Sequence, residues 1–238
     1  MSQTANIEMH NPASSKKMLM AMVGIGIISA FLIVMTFELT LPRVQRLKAE
    51  ALEKAIFEVL PGTVRTQAFD VNANGELVKL GEGDKTETTI YAGYDKDEKL
   101  VGYAIEAAGQ GYADIIRILY GYNPDEQKLI GFQVLESKET PGLGDKIEKD
   151  EGFLNNFKAL DVSVSEDGKL KNKVITVKQG EKQNPWEIDG ITGATISSRA
   201  IGNIVGTSTT EVVPILYQEH KKEKTSQGQK QMESDEQR

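Results

Sequence analysis

"IIRILYGYNPDEQKLIGFQVLES", Ile115–Ser137, holds two apolar runs around a turn-forming centre. Asn123-Pro124-Asp125 is a turn with a mechanism, because proline presets the turn dihedral. The flanking runs are rich in β-branched and aromatic residues, so the stretch reads as an antiparallel hairpin. "TTIYAGYDKDEKLVGYAIEA", Thr88–Ala107, reads the same way. Tyr94, Asp97, Glu98, Leu100 and Gly102 match Tyr122, Asp125, Glu126, Leu129 and Gly131. Two such hairpins predict a twisted antiparallel sheet at the core. Many hairpins share tyrosines and acidic turns, so the match leaves the question of duplication open.

N-terminal to the hairpins the pattern becomes helical. Val44 to Leu60 carries Val44, Leu47, Leu52, Ala55, Ile56 and Val59 at helical spacing. Pro42 precedes this segment and Pro61-Gly62 ends it. Before it lies Met18–Phe37, an uncharged run. A helix of about 20 apolar residues spans about 30 Å, the hydrocarbon thickness of a bilayer. The run exceeds a usual signal-peptide core and no small-x-small cleavage site follows, so it is read as a membrane helix. Lys16 and Lys17 favour a cytoplasmic N-terminus, and Arg43, Arg46 and Lys48 on the other side blunt that bias.

C-terminal to the hairpins, "EGFLNNFKAL" (Glu151–Leu160) reads as a short helix and "KVITVK" (Lys173–Lys178) as a strand. Ile196 to Tyr217 is a helix that Pro214 kinks or ends. From Gln218 the chain is charged with both signs and is read as disordered. The expected organisation is a polar segment 1–17, a transmembrane helix 18–37, an amphipathic linker helix 38–62, an α+β domain 63–217 with flanking helices, and a tail 218–238.

Composition excludes several chemistries. The 238 residues carry a formal charge of −7, with no strong basic patch, so nucleic acid is not an expected partner. No cysteine is present, which excludes thiolate zinc and iron–sulfur ligation by this chain. His10 and His220 lie in polar terminal segments without neighbouring ligands, and no metal site is expected. Redox chemistry here requires a bound organic cofactor. No nucleophile–base pair marks a catalytic set.

Two stretches stand out. "ETPGLGDKIE" (Glu139–Glu148) follows a strand with Pro141, Gly142 and Gly144. It is either a structural turn or a loop whose backbone approaches a flat ligand closely. "DGITGATISSRA" (Asp189–Ala200) has small residues, Gly193 and Ala194, just before a helix start. Its hydroxyls at Thr195, Ser197 and Ser198 can cap the free helical amides. The same amides and dipole attract phosphate, so a phosphorylated ligand esterified there would be held twice over. A threonine hydroxyl is a weak nucleophile unaided, and the motif supplies no histidine or lysine base. A modification at Thr195 therefore requires another enzyme, for which Asp189 is a candidate recognition or metal-orienting residue. "GQGYADIIRI" (Gly109–Ile118) lacks the context of a dinucleotide fingerprint, and the single Trp186 reads as a core residue.

"DGITGAT" resembles the flavinylation motif Asp-x-x-Ser/Thr-Gly-Ala-Thr, in which a flavin transferase joins FMN through its phosphate to the last threonine. That maps onto Thr195, with Thr192 as a formal competitor where serine is frequent. "ETPGLG", covering Glu139, Thr140, Pro141, Gly142, Leu143 and Gly144, matches a second signature of the same FMN-binding domain family. With the membrane helix, the chain resembles the G subunit of the Rnf-type ion-translocating electron transport complexes over residues 18–217. The related C subunit of the sodium-pumping NADH:quinone oxidoreductases shares both motifs, and the Ser-Arg-Ala ending leans toward the Rnf type. The resemblance implies covalent FMN, bound also by Asp189, Thr192, Gly193, Ala194 and the 139–144 loop. It implies a periplasmic domain on a bacterial inner membrane, and other subunits, lipid and a flavin transferase as partners. It implies one relay in ferredoxin–NAD electron flow coupled to ion movement. A non-redox membrane-anchored assembly module, with Thr195 only capping a helix, is the reading from another class.

Overall fold

The computed structural model describes residues 15–72, 75–81, 86 and 89–236, with side chains to 226. The chain divides into two units after Glu50. The first holds most of α1 (Ser15–Val59), whose last turns from Ala51 belong to the second unit; α1 is, among the described residues, the one helix long and apolar enough to cross a membrane. Its apolar side chains, Phe31 and Ile33 among them, are exposed, as lipid-facing residues would be.

α1 corrects one expectation. The 18–37 span and the 44–60 segment are a single helix, with Pro42 inside it. Proline removes one backbone donor there, which ends a helix only when no other contact sustains it. Here the turns on both sides of Pro42 remain helical.

The second unit is built on a seven-stranded antiparallel sheet. Its strands are β1 (Arg65–Val71), β2 (Leu77–Lys79), β3 (Ile90–Tyr94), β4 (Leu100–Gln110), β5 (Ile115–Asn123), β6 (Lys128–Glu136) and β7 (Leu160–Asp161). Their order is β2-β1-β3-β4-β5-β6-β7. The two expected hairpins are β3–β4 and β5–β6, joined through β4–β5 with Tyr103 opposite Tyr122. They share more than composition. Both bulge at a Gly-Tyr step, Gly93/Tyr94 and Gly121/Tyr122, and both turn on a side chain that accepts backbone N–H groups, Asp95 and Asn123. In β3, β4 and β5 successive residues are buried, so by the period-2 alternation both faces of the central sheet are covered.

One face packs against the end of α1. Ala55, Ile56, Val59 and Leu60 meet Ala104 and Leu119. Four glycines, two from each hairpin, make room for this contact. A methyl group on Gly93 or Gly102 would lie 2.9 or 3.1 Å from a Leu60 methyl, and one on Gly121 or Gly131 would lie 2.2 or 2.6 Å from the Val59 backbone. No side chain fits, so the row is a trough for the helix end.

The other face carries the main core. Ile90, Tyr103, Ile105, Ile118, Tyr120 and Leu129 pack with Ile201, Val205, Val213 and Leu216 of α3 (Thr195–Glu236). Tyr120 Oη bonds Ser208 Oγ at 2.7 Å across this interface. A short segment, α2 (Glu151–Asn155) and a 3-10 turn (Asn156–Lys158), is held by aromatic packing: Phe132 stacks on Phe157 at 4.1 Å, and Phe153 meets Phe157 edge-on. Asp150 caps it by accepting Phe153 N–H at 2.8 Å. β8 (Ile175–Val177) and β9 (Glu187–Asp189) form a small parallel pair that leads into α3.

α3 corrects a second expectation. The polar stretch from Gln218, read as disordered, remains helical through Glu236, and Pro214 lies inside the helix without ending it. The stretch is rich in Gln, Glu and Lys, which favour helix. It is also anchored. His220 is buried, its Nε2 lies 2.8 Å from Asp125 Oδ1, and Lys224 Nζ reaches the same carboxylate. Residues 1–14 of the polar N-terminal segment lie outside the described residues.

Two outcomes are expected. Gly121→Ala forces the sheet and Val59 apart and destabilises the domain by about 1–3 kcal/mol in denaturant titration. The Lys224 ammonium, burial notwithstanding, and then His220 hold the Asp125 carboxyl below its ordinary value. A carboxyl with a lowered folded-state pKa contributes stability above its ordinary value, about 4, and loses it as pH falls through the lowered value. Acid should therefore melt the C-terminal part of α3 before the sheet. Asp125→Asn should show the same partial loss of helical circular dichroism at neutral pH.

Candidate functional site

The two singled-out stretches are far apart in the chain and meet in space at Glu139. This side chain is 5% exposed. Its Oε1 accepts the N–H groups of Tyr112 (2.8 Å) and Ala113 (3.0 Å), in the turn between β4 and β5. Its Oε2 accepts the hydroxyl of Ser197, in the first turn of α3. No lysine or arginine pairs with it among the described residues, so three hydrogen bonds carry the desolvation of the carboxylate.

The rest of the 139–144 loop is shaped by that contact. A methyl group on Gly144 would fall 2.5 Å from Glu139 Oε2 and 2.8 Å from Ser197 Oγ, so only glycine lets the chain pass. Gly142 sits at φ +77, a conformation that favours glycine, and its N–H reaches Asp145 Oδ1 at 2.7 Å. Thr140, Pro141 and Leu143 remain exposed.

The 189–200 stretch separates its hydroxyls into two classes. Ser197 and Ser198 are buried and engaged. Ser198 Oγ accepts from Ile191 N–H (3.4 Å) and donates to the Thr195 carbonyl (3.2 Å). Thr192 and Thr195 are exposed. Between them Gly193 turns at φ +83, and Ala194 is buried. The capping alternative is not realised on the first amides of α3. Among the described residues no acceptor stands on the N–H groups of Thr195, Ile196 or Ser197, so the first turn of α3 presents open donors.

Asp189 lines neither cleft that borders Thr195. Its carboxylate accepts Gly180 N–H at 2.7 Å, and its backbone is gripped on both sides by the Asn156 amide, at 3.0 and 3.2 Å. It thus ties the loop after β8 to β9, while the aromatic-held turn supplies Asn156. Thr192 N–H is held by Gln179 Oε1 at 3.0 Å.

Two clefts flank Thr195. The first, about 360 Å³, is lined by Glu139, Thr140, Leu143 and Gly144 of one stretch, by Gly193–Ser197 of the other, and by Tyr112. Tyr112, Leu143 and Ile196 are 65%, 54% and 57% exposed there, an open apolar surface beside a hydroxyl and free amides. The second, about 310 Å³, holds Lys178, Gln179, Thr192 and Arg199. Thr195 is the one residue common to both. A larger groove of about 920 Å³ lies between α3 and the β4–β5 end, and of the two motif stretches it takes in only the terminal Ala200, so size alone does not mark the site. Trp186 is half-buried and lines none of these clefts. Sequence reasoning missed Tyr112, Ile196 and Asn156. Ser197 it named only as one of several hydroxyls at a helix start, without its bond to Glu139.

A flat aromatic group with a phosphate fits this arrangement. The apolar cleft suits a planar ring, and the uncapped turn suits an anion.

Comparison with known proteins agrees. Residues 111–209 match the FMN-binding domain family. The chain is 32% identical over 188 residues to the G subunit of the ion-translocating oxidoreductase complex of Methanosarcina acetivorans, covering 78% of this chain and 87% of that one. It is 35% identical over 106 residues to the G subunit of the proton-translocating ferredoxin:NAD(+) oxidoreductase complex of Clostridium ljungdahlii, covering 44% and 50%. In fold it is similar to the crystal structure of the C subunit of the Na(+)-translocating NADH-quinone reductase from Parabacteroides distasonis. The TM-score there is 0.57 at 23% identity, over 73% of this chain and 96% of that one. The sequence similarity, extending over most of a relative's length, establishes that this chain belongs to the G-subunit family of ion-translocating oxidoreductase complexes.

Proposed function

We propose that this protein is a membrane-anchored FMN carrier, with the flavin joined through its phosphate to Thr195, relaying electrons within an Rnf-type complex. The observation that carries the reading is the position of Thr195. It is an exposed hydroxyl at an uncapped helix start, and it borders both an apolar cleft and a cleft with cationic side chains. A phosphoester there can lay its ring on Tyr112, Leu143 and Ile196 while the first-turn amides meet the phosphate. FMN supplies the electron-carrying chemistry; the chain binds, orients and partly shields it. Glu139 fixes the loop that walls the cleft, and Gly193 and Ala194 keep the approach to Thr195 free of bulk.

The phosphoester requires a flavin transferase, because no base lies within the motif. Family membership supports other subunits as partners. A ferredoxin-to-NAD route coupled to ion movement, a bacterial inner membrane and a periplasmic flavin domain complete the proposal. α1 supports the membrane anchor, and Lys16 with Lys17 supports a cytoplasmic N-terminus.

The test is the protein produced together with a flavin transferase and run on a denaturing gel under ultraviolet light. Wild type and Thr192→Ala should fluoresce and gain the mass of one FMN less water. Thr195→Ala should do neither. Fluorescence that persists in Thr195→Ala would falsify the site, and a wild type without added mass would remove the carrier reading altogether. Glu139→Gln should leave attachment intact, since the Thr195 hydroxyl is untouched. It should lower stability by about 1–3 kcal/mol in denaturant titration, because a charged acceptor of three hydrogen bonds is lost.

A further inference from the structure

We propose that Lys146, two residues beyond the Glu139–Gly144 signature, is the cation that faces the phosphate on Thr195. The proposal rests on the covalent-FMN reading above. Lys146 sits in the 3-10 turn Gly144–Glu148, directly after the loop fixed by Glu139. Gly144 passes so close to Glu139 and Ser197 that the chain is pinned against the first turn of α3. Two residues later, Lys146 is carried to the neighbouring turn. A methyl group on Gly193 would lie 3.6 Å from Lys146 Nζ, and Thr195 is two residues beyond Gly193.

The side chain is half-buried, yet no carboxylate holds it among the described residues. Its surroundings explain this. Asp145 is occupied by Lys149 at 2.7 Å and by the Gly142 N–H. Glu139 is saturated by its three donors. Lys138, Lys149 and Lys178 each have an acidic partner: Asp114, Asp145 and Glu181. Lys146 is thus an ammonium held beside the attachment turn with nothing of opposite charge assigned to it.

A phosphodiester keeps one negative charge at neutral pH. On Thr195 it would meet the open first-turn amides and the positive end of the helix, and Lys146 would add a charge-assisted contact. The rival cation is Arg199, exposed on α3 and lining the second cleft. The choice of Lys146 follows from the loop that delivers it: the 139–144 stretch then both walls the ring and places the counter-charge.

The test uses the full chain in detergent, empty or loaded by a co-produced flavin transferase, with loading checked by intact mass. The ester bond is present in folded and unfolded chains alike. A rise in melting temperature on loading therefore reports contacts made only in the folded site. Each variant is compared with its own empty form. Wild type should gain on loading, and the gain should shrink in about 1 M NaCl, where exposed charges are screened. In Lys146→Met the gain should fall by about 2–4 °C. Lys146→Arg and Arg199→Met should keep most of it. A loaded Lys146→Met with the wild-type gain, or a gain lost in Arg199→Met instead, overturns the assignment while leaving the flavin on Thr195. A wild type that gains no mass overturns the covalent reading and this proposal with it.

Discussion

A single buried carboxylate organises the site. Glu139 takes two N–H groups from the β4–β5 turn and a hydroxyl from the start of α3. An ionised side chain out of water is costly unless its lone pairs are filled, and each donor removed returns part of that cost. The arrangement therefore behaves as a unit: turn, loop and helix start must be in place together. Gly111 and Gly144 complete the constraint, because a methyl group on either would strike the same carboxylate. The geometry around Thr195 follows from this knot.

The sheet supplies the frame. Both its faces are covered, one by α3 and one by the end of α1. The glycine row across β3–β6 lets Val59 and Leu60 sit at backbone distance from the sheet. Packing at that distance is short-range and steric, so it locates the helix end more sharply than interdigitating side chains would. On the opposite face, α3 is fixed along its length by Ile201, Val205, Val213 and Leu216, then by His220 and Asp125 beyond them. Thr195 is thus placed by a rod anchored along its length.

The hairpins were legible in the sequence because turn chemistry and β-branched runs act over a few residues. The Asn123-Pro124-Asp125 turn and the Tyr-Gly repeat both lie where those local patterns put them. The meeting of the two motifs was legible only by resemblance: nothing in "ETPGLG" or "DGITGAT" says that Glu139 reaches Ser197, 58 residues away. Tyr112 and Ile196 were invisible for the same reason, since exposed apolar residues acquire meaning only beside a cleft. The two misread helix boundaries have a common cause. Pro42 and the dense charge from Gln218 each argue against a helix, and the surrounding turns, or helix-favouring Gln, Glu and Lys with a tertiary contact such as His220 with Asp125, override that signal. Asp189 shows the converse: a motif aspartate whose carboxylate serves a neighbouring loop.

The open apolar cleft beside Thr195 has one more implication. A pocket that must capture a free ligand encloses it, because affinity comes from buried surface. A tethered ligand arrives at very high effective concentration and is not lost by dilution. Enclosure then ceases to be a requirement, and a shallow seat formed by Tyr112, Leu143 and Ile196 suffices. With FMN tethered to Thr195 as proposed, such a seat would leave part of the ring uncovered and open to a redox partner. The depth of the cleft would then set how closely another electron carrier can approach.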